Sequence, residues 1–178
     1  ALPNSPGWAT VWAGIEDREG NIWIGTFRYG LFRIRKQIIT SYSKAEGLTE
    51  NNVYPIFEDR QGTIWIGTAN GVFKYQDGTF TRLKSSENFY VDALGEDASG
   101  RLLVSSGGAL SRLEKDGLKL FYHSSLGHIW TIFTDRENAL WIGGDLGLTR
   151  IKDNIAETFT TAQGLAANDT KIIIDDNN

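Results

Sequence analysis

One phrase written four times constrains this chain more than anything else in it. It reads IEDREGNIWIGT from Ile15 to Thr26, FEDRQGTIWIGT from Phe57 to Thr68, GEDASGRLLVSS from Gly95 to Ser106 and FTDRENALWIGG from Phe133 to Gly144. A fifth copy opens at Ile174, Asp175 and Asp176, where the sequence stops. The aligned aspartates Asp17, Asp59, Asp97, Asp135 and Asp176 are spaced by 42, 38, 38 and 41 residues, near the roughly 40–45 residues of a propeller blade. A period of this length describes an array of small units, each burying its faces against its neighbours.

Within a period, short apolar alternations separated by turn residues predict four antiparallel strands, and no stretch has helical periodicity. In the second repeat the strands are expected over Val53 to Glu58, Thr63 to Thr68, Val72 to Tyr75 and Phe80 to Leu83. Asp17-Arg18-Glu19-Gly20-Asn21 and Asp59-Arg60-Gln61-Gly62 read as tight hairpins with glycine where φ is positive, and Asp77-Gly78 repeats the pattern between the last two strands. The predicted fold is all-β: four complete four-stranded antiparallel propeller blades, plus the first strand of a fifth, as part of a larger propeller. The repeats occupy approximately 8–43, 53–83, 89–123 and 128–160, with a partial one at 169–178.

Trp23, Trp65 and Trp141 share one place on the second strand, where a large ring fills the gap between adjacent sheets. The third repeat has Leu103 there, so a looser third blade is expected, one that accepts Leu103→Trp without loss of stability. Two residues on, Gly25, Gly67 and Gly143 allow close backbone approach, with Ser105 the exception.

Composition removes several function classes. The 18 basic and 22 acidic residues leave a net charge of −4, which has no general attraction for phosphate backbones, so nucleic acid is not an expected partner. No apolar run approaches the ~18 residues of a membrane span, and no direct membrane contact is expected from this chain. With no cysteine, disulfides, thiol catalysis and cysteine-ligated zinc are excluded. Ala1 opens into repeat-like sequence and there is no methionine. The expectation is a piece of a longer protein whose targeting segment is removed or lies upstream.

The run E-D-R-x-G-x-I-W-I-G-T, followed by a glycine and an apolar-x-basic-apolar strand at Gly30 to Ile34, Gly71 to Tyr75 and Gly147 to Ile151, resembles the two-component regulator propeller repeat. The links Glu46-Gly47-Leu48-Thr49-Glu50-Asn51-Asn52-Val53 and Gln163-Gly164-Leu165-Ala166-Ala167-Asn168-Asp169 are similar to the family's Gly-Leu-x-x-Asn stretch, and Leu2-Pro3-Asn4-Ser5 reads as the tail of another. The third repeat departs most, with Ala98 and Ser99 after its aspartate and no tryptophan. The resemblance implies a bacterial sensor, periplasmic or extracellular. In this family the repeats build seven-bladed propellers, often in tandem, in membrane histidine kinases, hybrid two-component regulators and some diguanylate cyclases. Several respond to oligosaccharides. No kinase or receiver segment is recognisable in this chain. Four blades and a strand leave three arrangements open: a fragment, two copies closing an eight-bladed ring, or four blades closing alone.

A ligand is expected at the mouth of the channel, on the links between repeats and the loops between second and third strands, which vary while the strands repeat. Trp12, Tyr54, Asp92, Trp130 and Lys171 share one aligned position near the start of the first strand. Arg28, Tyr29, Asn52, Asn70 and Asp145 join them from the loops and links. Flat rings beside amide and guanidinium donors suit a sugar, whose apolar face stacks while its hydroxyls are hydrogen-bonded. The competing account has the aromatics plugging the channel or packing between sheets.

Other constellations point elsewhere. Glu16-Asp17, Glu58-Asp59 and Glu96-Asp97 recur at a hairpin in every repeat, whereas an active site needs one asymmetric arrangement, so turn-stabilising hydrogen bonds are the expected role. The recurring cations Arg33, Lys74, Arg112 and Arg150 suggest ion pairing between strands or blades before an anion site. Asp175-Asp176-Asn177-Asn178 lacks the spacing of a calcium loop, and His123 and His128 lack a third ligand for zinc. No metal, cofactor or catalytic residue is expected. The reading is a non-catalytic ligand sensor for an oligosaccharide-like molecule, with self-association to complete the propeller as a further expectation. A scaffold propeller and a propeller lyase or hydrolase, the latter resting on His128 with Asp92 or Asp145, are its rivals.

Overall fold

The computed structural model describes residues 9–36, 38–124 and 127–174. The chain divides into two compact units, Ala1–Val91 and Asp92–Asn178, and each contains two four-stranded antiparallel sheets.

In the first unit, β1 (Val11–Glu16), β2 (Ile22–Thr26), β3 (Leu31–Arg35) and β4 (Ile38–Tyr42) form one sheet in sequential order. β5 (Val53–Glu58), β6 (Ile64–Thr68), β7 (Gly71–Gln76) and β8 (Thr79–Arg82) form the next. In the second unit the sheets are β9 (Ala93–Glu96), β10 (Leu102–Ser106), β11 (Ala109–Glu114), β12 (Gly117–His123) and then β13 (Ile129–Thr134), β14 (Leu140–Gly144), β15 (Gly147–Lys152), β16 (Ile155–Phe159). Sequential up-and-down pairing of four strands is the construction of a propeller blade, and the strands of the second repeat fall where apolar alternation placed them.

The recurring aspartate organises each hairpin. One oxygen, Oδ1, collects the turn amides two and four residues on: Glu19 and Asn21 donate to Asp17, Gln61 and Thr63 to Asp59, Ser99 and Arg101 to Asp97, Glu137 and Ala139 to Asp135, at 2.8–3.0 Å. The other oxygen accepts the tryptophan indole N–H six residues on, at 2.7 Å for Trp23 and Trp65 and 2.8 Å for Trp141. Gly20 and Gly62 supply the positive φ of the turn, and Asn138 supplies it in the fourth repeat. The aspartate of each carboxylate pair is thus a turn element, whereas Glu58 accepts the Arg18 amide of the preceding repeat at 3.2 Å.

Between repeats, contact is close because the second strand carries glycine. A Cβ on Gly25 would lie 2.8 Å from Val53 Cγ1 of the next repeat, and one on Gly67 would lie 2.7 Å from Val91 Cγ1. On Gly143 it would meet Thr170 Cγ2 at 2.7 Å. Ser105 keeps the same relation by donating its hydroxyl to the Ile129 carbonyl at 3.1 Å. In the first unit Trp23 is the expected wedge, 1% exposed and in edge-to-face contact with Tyr75 of the next sheet at 5.0 Å. Trp65 and Trp141 are half-buried.

Three expectations need correction. The third blade is not loosened: Leu103 is 0% exposed in a core with Ala93, Leu110, Ile129, Leu140 and Ile142, and the Arg101 guanidinium takes over the indole's place on Asp97 Oδ2 at 3.0 Å. The first strand of a fifth repeat is not formed over the described residues 169–174. Nor do the recurring cations all make ion pairs. Arg112 meets Glu114 at 2.7 Å and Arg150 meets Glu137 and Glu157 at 3.8 Å. Arg33 instead donates to the Tyr75 hydroxyl and lies over the Trp23 and Tyr42 rings, a cation–π setting that its half-buried position favours. The stretches Leu2 to Ser5 and Asp175 to Asn178 lie outside the described residues.

The Gly-Leu-x-x-Asn links fold as capped single turns. Ser43 and Thr160 each form a capping box, with Glu46 and Gln163 respectively, and Gly47 and Gly164 close the turn in the left-handed region. Asn51 and Asn168 accept the first turn amides, from Lys44 at 3.1 Å and Thr161 at 2.7 Å.

Candidate functional site

The aligned aromatic column coincides with an irregularity in the sheets. The ladder between β1 and β2 slips between Val11 and Ala13, that between β5 and β6 between Val53 and Ile56, and that between β13 and β14 between Ile129 and Thr131. Trp12, Tyr54 and Trp130 are therefore residues of β-bulges at the first-strand entrance, where an unpaired residue re-aims its side chain. Asp92, in the same column, precedes β9 and has no bulge.

In the first unit the bulges bring Trp12 and Tyr54 into edge-to-face contact at 5.7 Å, and Tyr54 meets Tyr90 at 4.8 Å. Trp12 is 58% exposed and Tyr90 47%. An aromatic ring left this far in water forgoes much of its burial free energy. Tyr90 sits two residues outside the aligned column, so the repeat alignment gives no reason to select it. Beside the row, the Arg28 amide, on a residue with φ 74°, donates to Asn52 Oδ1 at 3.0 Å and fixes the β2–β3 loop to the link that enters β5. Arg28 itself is exposed and Tyr29 half-buried. Asn70 is committed elsewhere: its Oδ1 accepts from Arg82 Nη2 at 3.0 Å and from the Asn88 amide at 3.1 Å. A cleft of about 430 Å³ lined by Asp17, Arg18, Arg33, Glu58 and Tyr75 opens at the opposite strand ends and does not include the aromatic row.

In the second unit the remaining predicted residues converge on one cluster. Asp145 accepts the Trp130 indole N–H at 2.6 Å and the His128 amide at 3.0 Å. The His128 ring stacks on Trp130 at 5.1 Å and 11°, and its Nδ1 faces Asp92 Oδ2 at 3.5 Å. Lys171 Nζ lies 4.2 Å from the Trp130 ring centre, 2.9 Å from Asp169 and 3.8 Å from Asp145. Trp130 is thus a member of a polar cluster, with its N–H spent on Asp145.

Two carboxyls of the cluster, Asp92 and Asp145, are driven apart. The Trp130 N–H holds the Asp145 carboxyl below its ordinary range against a smaller upward push from burial, with the His128 amide and Lys171 assisting. Asp92 goes the other way. Burial pushes its carboxyl up, the Gly107 amide and His128 only partly oppose this, and Asp145 adds to it. The Asp92 side chain is 0% exposed, and its Oδ1 has no hydrogen-bond partner among the described residues. An unpaired buried acceptor costs about 1–3 kcal/mol, so this carboxyl is placed at the expense of stability. Among the described residues no group of three or more metal-ligating side chains occurs, and no helix is long and apolar enough to cross a membrane.

Comparison with known structures gives the same blade architecture. The extracellular domain of the BT4673 system from B. thetaiotaomicron superposes with a TM-score of 0.79 at 22% identity over 96% of this chain and 25% of that one. The extracellular domain of the BT3049 hybrid two component system from the same organism gives 0.68 at 23% identity over 89% of this chain and 24% of the other. The chain therefore spans about a quarter of the length of these domains. Catalytically inactive H270A virginiamycin B lyase from Staphylococcus aureus, solved with quinupristin, gives 0.73 at 21% identity over 89% and 57%. None of the curated proteins is matched by the sequence. In sequence, the family described as two component regulator propeller matches residues 10–28 and 47–70, which hold the Asp-to-Trp hairpin phrases and the first-strand entrances of the first two repeats. Two stretches of the chain, residues 10–28 and 47–70, thus match the two component regulator propeller repeat.

Proposed function

We propose that this chain is a ligand-recognising propeller segment from the periplasmic or extracellular part of a bacterial two-component regulator, and that it binds an oligosaccharide-like ligand without changing it chemically. The observation that carries the reading is the row of touching rings Trp12, Tyr54 and Tyr90, the first two set on bulges and the outer two, Trp12 and Tyr90, left open to water. A sugar presents a C–H face that packs on such rings and hydroxyls that pair with neighbouring amide and guanidinium groups, here Asn52 and Arg28. Binding would reach an output domain by a shift in propeller or domain packing, and no cofactor is needed for it. Titration with neutral oligosaccharides, followed by tryptophan fluorescence, tests the reading. Trp12→Ala is expected to weaken binding by about tenfold or more, the equivalent of ~1.4 kcal/mol.

A second reading, a lyase, has one observation in its favour: an imidazole facing a buried carboxyl, His128 and Asp92, on a fold shared with virginiamycin B lyase. Product formation from a streptogramin that disappears in His128→Ala supports that reading, and an unchanged small-molecule profile removes it.

A further inference from the structure

The second unit holds one exposed imidazole by three separate restraints. His128 is 53% exposed at its side chain, yet its amide is bonded to Asp145, its ring is stacked on Trp130, and its Nδ1 is set against Asp92. Asp92 is fixed in turn: its Oδ2 accepts the Gly107 amide and its own amide donates to the Ser105 carbonyl at 3.0 Å. A solvated surface histidine needs none of this. The arrangement retains a wholly buried carboxyl with one unpartnered oxygen, which folding alone does not favour. Facing a carboxylate, Nδ1 carries the proton and the other ring nitrogen, Nε2, is left as an acceptor. No described residue bonds to it.

We propose that His128 Nε2 is a ligand contact that accepts a hydrogen bond from a hydroxyl of a neutral polyol, with Asp92 as its positioning residue. The inference rests on the carbohydrate reading above for its class of ligand and concerns the second unit by itself. Neutrality follows from the surroundings. Asp92, Asp145 and Asp169 outnumber Lys171, whose ammonium is already engaged by Asp169, so an anionic ligand would meet net repulsion.

The chain has only two histidines, so His123 serves as an internal reference in imidazole nitrogen spectra. The probes are xylotriose, arabinotriose and maltotriose, each titrated into the labelled chain and, in parallel, measured by calorimetry. For a trisaccharide that binds, the Nε2 resonance of His128 is expected to move while that of His123 stays. His128→Phe, which keeps a ring on Trp130, is expected to weaken binding about tenfold, and Asp92→Asn to weaken it in the same direction. Should a trisaccharide bind in a Trp12-dependent way while the His128 resonances stay fixed and His128→Phe binds equally well, the His128 contact is overturned and the carbohydrate reading stands. Binding that depends on His128 and not on Trp12 upholds the contact and removes the aromatic row. No heat with any of the three overturns both.

Discussion

A carboxylate that gathers two turn amides with one oxygen and an indole N–H with the other ties each hairpin to the strand that follows it. Asp135→Ala leaves the Glu137, Ala139 and Trp141 donors without their acceptor, and is expected to lower stability by about 1–3 kcal/mol in urea unfolding. The pH dependence has a definite sign. For Asp17, Asp97 and Asp135, burial pushes the carboxyl up, but the donors outweigh it: indole and amides at Asp17 and Asp135, Ser99 and Arg101 at Asp97. Each is held below the ordinary range. Their contribution is present above the unfolded carboxylate pKa near ~3.9 and is lost as pH falls through the lower folded values. Asp92 has the opposite sign. Its raised folded value makes stability fall as pH rises from the unfolded range through the folded one, so Asp92→Asn is expected to gain thermal stability relative to the native chain at neutral pH. The hairpin pin was written in the sequence as Asp-x5-Trp in three repeats, with Arg101 in the repeat that lacks tryptophan. Spacing shows that two residues recur together, and only the turn geometry shows that they touch.

Strands were legible because a buried sheet face enforces apolar alternation and turns demand glycine, aspartate or asparagine. Bulges were not: one extra residue shifts the ladder without leaving a mark in a two-residue period. Trp12, Tyr54 and Trp130 could thus be aligned as a column, but not recognised as re-aimed side chains, and Tyr90 escaped because it lies in a link outside the column. Packing between sheets makes two predictions at this scale. Gly67→Ala places a Cβ 2.5 Å from Pro55 Cγ and 2.7 Å from Val91 Cγ1, and Leu103→Trp enlarges a side chain with no exposed surface. Each is expected to cost about 1–3 kcal/mol by overpacking, read as a lower midpoint with an unchanged slope in denaturant unfolding.

Across the chain as a whole, two sets of aromatic residues stand apart. Trp23, Trp65 and Trp141 hold hairpins and strands together through their N–H groups, whereas Trp12 and Tyr90 face water with the half-buried Tyr54 between them. We further propose that the chain self-associates to complete a propeller, which light scattering after size exclusion tests: a discrete dimer supports it and a monomer removes it. We infer that recognition and folding rest on separate aromatic sets. The most direct test is calorimetric titration of the native chain, Trp12→Ala and Tyr54→Ala with neutral oligosaccharides, with the melting temperature of each recorded alongside. Heat of binding is expected in the native chain, with affinity weakened about tenfold or more in both variants and melting temperatures that stay together. Equal affinity in all three, or variants that lose binding only because they unfold, would contradict it.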